Sequence, residues 1–330
     1  MKKRILAFTL VLAMAVFTFA GCGKKQETAK DTPDKAMTEV TLNEVAHSIF
    51  YAPMYVAIEE GYFAEEGINL TLVTGFGADK TMTAVLTNEA DIGFMGSEAS
   101  IYTYLGGTED YVVNFAQLTQ RAGNFLVGRQ PEDNFKWENL KGKKVLGGRA
   151  GGMPQMVFEY ILKKHGLDPK TDLTIDQSIN FGLTAAAFTS NDADYTVEFE
   201  PFATTLESEG SGTVVASLGT ESGYVPYTAY CARKSYMENN PELIQKFTNA
   251  IQKGMDYVNS HSAEEIAKTI APQFKETPVD KIAIIVGRYK DQDTWKDNTV
   301  FEKDSFELLE NILQEAGELN QRVPYEDLVT

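Results

Sequence analysis

Cysteine, histidine and tryptophan are all scarce in this 330-residue chain, with two, three and two residues respectively. Cys22 and Cys231 cannot make a disulfide framework, and His47, His165 and His261 do not complete a four-ligand zinc site with them, so the core must be held by packing. Neither a Ser/His/Asp grouping nor an HExxH motif is present, which argues against hydrolytic catalysis. Positive charge is short too: 30 Lys+Arg stand against 47 Asp+Glu, a net −17. A phosphate backbone repels such a surface unless a basic patch overrides it, and the sequence has no such patch, so nucleic acid is excluded as a partner. No apolar run reaches the roughly 20 residues of a membrane-spanning helix. What remains, 43% hydrophobic and 23% charged, is the balance of a globular chain long enough for two domains.

The first residues do not read as part of that body. Met1-Lys2-Lys3-Arg4 is a positive n-region, Ile5 to Phe19 is an apolar stretch of about fifteen residues, and Phe19-Ala20-Gly21-Cys22 follows. The small residues before Cys22 resemble the lipobox of bacterial lipoproteins, with Phe19 in place of the usual Leu. That resemblance implies removal of residues 1–21 as a signal peptide and a lipid on Cys22, anchoring the chain at the extracytoplasmic face of a bacterial cell membrane. The alternative is an ordinary secretory signal with a chance cysteine. Residues 22–37 are polar, contain Pro33 and lack apolar periodicity, the pattern of a flexible tether. Losing Lys2, Lys3 and Arg4 takes Lys+Arg from 30 to 27 against 47, a net −20.

Beyond the tether, strand and helix patterns alternate. Glu39 to Val45 has period two; Pro53 opens a helix that stops at Gly61; Ile68–Leu72 is a strand; Gly75-Phe76-Gly77-Ala78-Asp79 turns into a helix over Lys80–Asn88 with Asp79 as N-cap; Ile92–Met95 is a short strand. A second such unit has a strand near Val145, a loop at Gly151-Gly152-Met153, a helix over Pro154–His165 and, after Leu173–Ile179, a helix near Leu183–Thr189 that leads to a strand around Asp194–Phe199. Helical periodicity then dominates Pro241–Ser260, Ala263–Ile270, Val279–Tyr289 and Ser305–Leu319. The expected fold is α/β with two lobes, each a mostly parallel sheet flanked by helices, and a ligand cleft between them. Residues 38–118 with 228–330 form one lobe and 119–227 the other, the chain crossing near 114–120 and 227–233. Ligands collect at the carboxyl ends of parallel strands, so the loops 47–52, 74–79 and 96–99 converge on one crevice.

Several motifs carry a resemblance. Tyr51-Ala52-Pro53-Met54-Tyr55-Val56-Ala57, then Glu59-Glu60-Gly61-Tyr62-Phe63 and Glu66-Gly67-Ile68, resemble the opening signature of the nitrate, sulfonate, taurine and thiamine-precursor group of ABC-transporter substrate-binding proteins. Asn88 to Gly93, Leu140-Lys141-Gly142-Lys143, and Asp194 through Glu200-Pro201 resemble further elements of that group in the same order, so that the likeness spans most of residues 39–260. It implies a monomeric type II periplasmic-binding fold that closes on a small molecule and delivers it to an ABC permease and its ATPase.

Candidate ligand contacts follow from position and chemistry. Gly75, Gly77, Gly151 and Gly152 precede helices, where exposed N–H groups meet a ligand acceptor, and Met153 continues the second loop. His47 lies just past a strand end as a donor or stacking surface. Phe50, Tyr51, Phe76, Tyr195, Phe199, Tyr224 and Tyr227 fall in loops or strand ends facing the crevice, a lining suited to a flat ring. Ser97 offers a hydroxyl. Glu98 and Glu200 can accept from ring N–H or amino groups and disfavour an anion, whereas Glu198 reads as solvated surface. Arg121 and Arg149 pull towards a sulfonate or carboxylate. The expected ligand is a nitrogen heterocycle such as a thiamine-pyrimidine precursor, with a small oxyanion (sulfonate, taurine or nitrate) as the alternative. A rival branch resembling this fold synthesises the thiamine pyrimidine, using a cysteine-rich stretch, a reactive histidine and a pyridoxal phosphate lysine; here Cys231 is alone in the body, so no enzyme and no cofactor are expected.

Overall fold

The computed structural model describes residues 37–179 and 182–330, and Cys22 with the signal and most of the tether lies outside them. Ala36–Thr330 form one compact unit, built on two five-stranded sheets. The first contains β1 (Thr38–Glu44), β2 (Ile68–Thr74), β3 (Ile92–Gly96) and β4 (Val112–Thr119). The second contains β5 (Asn124–Gly128), β6 (Lys144–Leu146), β7 (Thr174–Asp176), β8 (Tyr195–Phe199) and β9 (Thr213–Ser217). The chain then returns to the first sheet as β10 (Thr228–Arg233).

The sheet orders are β2-β1-β3-β10-β4 and β7-β6-β8-β5-β9. In each, the first three strands are parallel, the fourth is antiparallel to both neighbours, and the fifth resumes the common direction. The reversed strands, β5 and β10, are those by which the chain enters each sheet from the other. A strand arriving straight from the neighbouring lobe has no crossover helix to turn it round, so it enters against the grain. Thus each sheet is mostly parallel, as the alternation implies.

Most of residues 114–120 and 227–233, near which the chain is expected to cross, belong to β4 and β10, adjacent strands of the first sheet, and the links between the sheets, 120–123 and 223–227, lie at the edges of those ranges. Every residue of β4 is buried, so a strand covered on both faces shows no period-two signal. The Asp79 cap is also corrected. The helix Ala78–Leu86 starts at Gly77, and Asp79 sits in its first turn, where its charge favours the positive helix end.

Other boundaries follow local chemistry. Pro53 stands in the first turn of the helix Ala52–Glu59, and Gly61 (φ 75°) turns the chain afterwards. The last helices tie the halves together. From the helix Val279–Asp291, Tyr289 donates to the Gly123 carbonyl at 3.0 Å and Arg288 pairs with Glu200 at 2.8 Å. The helix Lys303–Ala316 packs against Met153–Lys164. One apolar cluster of buried side chains runs through both halves. Among the described residues, no helix is long and apolar enough to cross a membrane.

Candidate functional site

A cleft, partly open to solvent, lies at the carboxyl ends of β1, β3, β6 and β8. Its walls come from both sheets. Val45 and Ala46 follow β1, Gly77 and Ala78 open the helix Ala78–Leu86, and Gly96 and Glu98 lie where β3 meets the helix Glu98–Leu105. Opposite them stand Gly147, Gly148, Arg149, Gly152 and Met153, together with Asn124, Thr184, Val197 and Phe199. Tyr51, Pro154, Tyr227 and Thr228 complete the lining.

The aromatic floor is built in two layers. Phe50 is fully buried beneath the cleft, its ring 5.2 Å from Tyr51, 5.7 Å from Phe199 and 5.6 Å from Tyr227. Those three outer rings line the cavity, and the Tyr227 hydroxyl donates to Asn124 Oδ1 at 2.8 Å. That bond fixes the Asn124 amide and leaves its NH2 group free to donate.

Glu98 is the carboxyl of the cleft lining. Only 3% exposed, it has one carboxyl oxygen, Oε2, without a hydrogen-bond partner. Burial pushes its pKa up to about 7, against the lowering effects of the nearby Glu98 and Met153 N–H groups and of Arg149. Burial likewise raises the Tyr51 and Tyr227 phenols, so both stay neutral.

Of the candidates read from the sequence, Tyr51, Gly77, Glu98, Arg149, Gly152, Met153, Phe199 and Tyr227 line this cleft. The others lie elsewhere, each for a physical reason. His47 is held beside the cleft by Glu44 Oε1 at 2.8 Å, the Gln273 carbonyl at 2.9 Å and the Phe274 ring at 4.7 Å. Gly75 passes so close to the Thr81–Asn43 hydrogen bond that a Cβ would lie 2.4 Å from Thr81 Oγ1, so its lack of a side chain serves packing. Phe76 (φ 57°) stands 75% exposed beside the cleft residues Gly77 and Ala78. Ser97 donates to the Pro226 carbonyl. The Gly151 N–H is taken by Gln155 at 2.9 Å.

Tyr195 begins β8 and bonds Glu132, four residues and roughly 13 Å along the strand from Phe199. Glu200 accepts from Thr204 and Arg288, and Arg121 stacks 4.4 Å from Tyr224 while donating to the Gly219 carbonyl. Glu198, read as surface, is buried, accepting from Thr184 and Thr196 hydroxyls. The sequence reading did not choose Asn124 or Thr184. Asn124 starts a strand reached only after the crossing, and no local pattern signals that its side chain meets Tyr227.

Two mixed sheets joined by two connections, with a cleft between them at strand carboxyl ends, define a periplasmic-binding-protein-like fold. In keeping with this, the chain superposes on the alkanesulfonate-binding protein SsuA of Xanthomonas axonopodis pv. citri, bound to MOPS, with a TM-score of 0.72 and 14% identity over 89% of this chain and 98% of that one. The NMT1/THI5 like family model matches residues 49–265, and the chain belongs to that family. It is 45% identical to YtlA of Bacillus subtilis (strain 168), a protein provisionally named a binding protein, over 95% of this chain and 91% of YtlA. It is also 23% identical to a 4-amino-5-hydroxymethyl-2-methylpyrimidine phosphate synthase of Aspergillus parasiticus, over 65% of this chain and 64% of that enzyme.

Proposed function

We propose that this chain is the extracytoplasmic solute-binding lipoprotein of an ABC importer. It captures a small nitrogen heterocycle between two lobes, residues 38–118 with 228–330 and residues 119–227, and delivers it to a permease. The observation that carries the ligand class is Glu98, a buried carboxyl with one oxygen unpartnered, set among Tyr51, Phe199 and Tyr227. Flat aromatic walls favour a ring, and the free oxygen awaits a ring N–H or amino donor. Contacts from both lobes are what let a ligand stabilise the closed form. A lipid on Cys22 would keep the receptor beside its transporter and raise its effective concentration there.

The relatives support this reading at two levels: YtlA carries a binding-protein name, and a relative at 23% identity is named a pyrimidine phosphate synthase, which supports a pyrimidine-like ligand. A small oxyanion is the second reading, favoured by Arg149 and by the helix starts at Gly77 and Gly152 on the cleft wall. An enzyme using pyridoxal phosphate fits poorly. Among the described residues no lysine lines the cleft to form a Schiff base, and the Cys231 thiol is buried with its pKa pushed up to about 12.

The test is a ligand panel of pyrimidines, flavin precursors, sulfonates, taurine and nitrate, read by melting of the purified chain. One nitrogen heterocycle at about 100 times its Kd is expected to raise Tm by about 5 °C or more. Glu98→Gln is expected to weaken that ligand by about tenfold or more, through loss of a charge-assisted bond. Turnover of a substrate with no shift from any ligand would sink the binding-protein reading. Mass spectrometry of small molecules retained through native purification identifies the ligand directly.

A further inference from the structure

Asn124 opens β5, and its register partner on β8 is Phe199. Directly opposed residues of an antiparallel pair emerge on the same face, so amide and ring stand side by side on the cleft wall of the second sheet. The preceding residue, Gly123, leaves room for the rings: a Cβ there would lie 2.6 Å from the Phe50 ring and 2.8 Å from that of Phe199. Asn124 is only 1% exposed, and a buried amide needs partners for both its ends. One end is matched within the protein, because Oδ1 accepts from the Tyr227 hydroxyl at 2.8 Å. Tyr227 is itself held edge-on against Phe50 and Phe199, with ring centroids 5.6 and 6.2 Å away. The direction of an amide follows from its hydrogen bonds. With Oδ1 turned to Tyr227, the NH2 group faces the cavity, where among the described residues it has no acceptor. Thr184, on the same cleft, shows the opposite polarity. It gives its proton to Glu198 at 2.9 Å and offers a ligand only lone pairs.

We propose that Asn124 selects the ligand: its NH2 group donates to a hydrogen-bond acceptor on the ligand's edge while Phe199 supports the ligand's face, and Tyr227 is the positioning residue that keeps the amide turned that way. This rests on the cleft being the ligand site, and it narrows what the cleft takes. A flat ring lying on Phe199 brings its edge to Asn124. A ring nitrogen in that edge is bonded, whereas a C–H in the same place displaces water and leaves the buried donor unmatched. A site built to hydrogen-bond its ligand rejects a near-isostere lacking the partner atom more strongly than a size filter can.

The experiment compares the full-length wild type with Asn124→Asp, Asn124→Leu and Tyr227→Phe, circular dichroism establishing that each is folded. 4-Aminopyrimidine, aniline and methanesulfonate are titrated by calorimetry. The first two are amino-bearing rings of the same size with and without ring nitrogens, and the third carries acceptors without a ring. Wild type is expected to bind 4-aminopyrimidine at least about tenfold more tightly than aniline. Asn124→Leu is expected to erase that ratio and Asn124→Asp to reverse it, since a carboxylate repels the lone pair of a ring nitrogen and tolerates a C–H. Tyr227→Phe keeps the ring but frees the amide to turn, and is expected to narrow the ratio to about threefold or less. A merely structural loss would weaken both rings alike and leave the ratio unmoved. Equal binding of the two rings by wild type overturns the proposal, as does a folded Asn124→Asp or Asn124→Leu variant with the wild-type ratio; in either case the heterocycle reading survives. Wild type that binds methanesulfonate and neither ring removes the heterocycle reading; Asn124 then stands as the donor if Asn124→Leu loses the sulfonate and falls with that reading if it does not. Wild type that binds none of the three overturns the proposal, and the wider ligand panel then judges the heterocycle reading separately.

Discussion

Glu198 and Glu200 flank Phe199 in the sequence, yet they meet different surroundings. Glu200 is buried against the Arg288 guanidinium and accepts from the Thr204 N–H and hydroxyl. Glu198 has only the Thr184 and Thr196 hydroxyls for partners, and burial pushes its pKa up to about 7 despite them. A carboxyl that holds its proton more tightly folded than unfolded costs stability as pH rises between the two pKa values, about 1.4 kcal/mol per unit while only the folded form is protonated. Glu98 acts with the same sign. So does His47: burial lowers its pKa, but the bonds to Glu44 and the Gln273 carbonyl outweigh this and raise it above 6.5. That contribution is present below 6.5 and is lost as pH climbs through the folded pKa. Tm is therefore expected to fall from pH 5 to pH 8, and Glu198→Gln to make that fall shallower in calorimetric scans. An unchanged slope in the variant would refute the assignment to Glu198.

Helices and strands differ in how openly their residues declare them. The helix Pro241–Ser260 starts at its proline and runs with one apolar face, the bounds its periodicity implies. Gly254 lies in its interior, where glycine ordinarily costs about 1 kcal/mol relative to alanine. The helix Ala52–Glu59 explains it, because a Cβ at 254 would lie 2.2 Å from the Pro53 carbonyl oxygen. Gly254→Ala is thus expected to destabilise by about 1–3 kcal/mol in denaturant titrations, reversing the sign that helix propensity predicts. A stabilised variant would show that the two helices can slide apart. β4 is the opposite case, an element hidden from pattern reading because both its faces are covered.

The two sheets suggest two domains, but the packing joins them. The apolar cluster is continuous, and Val279–Asp291 bonds to the second half through Arg288 and Tyr289 while packing on the first. Unfolding one half would strip the other of its buried partners, so calorimetry of the ligand-free chain is expected to give a single cooperative transition. Two resolved transitions would show that the lobes are energetically separate. A single transition would leave the proposed hinge motion possible, since that motion requires neither half to unfold.

The alternation of elements, the glycine and proline punctuation and the ordered motifs determined the α/β class, the mostly parallel sheets and the loops from which a cleft is built. These are local or short-range properties that period and turn chemistry report. Tertiary structure decided which residues of those loops face the cavity. Tyr51 lines it while Phe50 lies beneath; Glu98 enters while Glu198 and Glu200 turn into the core; Gly152 contributes while Gly151 is bonded to Gln155. Adjacent residues in a strand or loop point opposite ways, and the partner that selects one comes from a distant segment, as Asn124 does for Tyr227. Burial and pKa arise only when those segments meet, so a carboxylate's role could not be read from its neighbours in the chain.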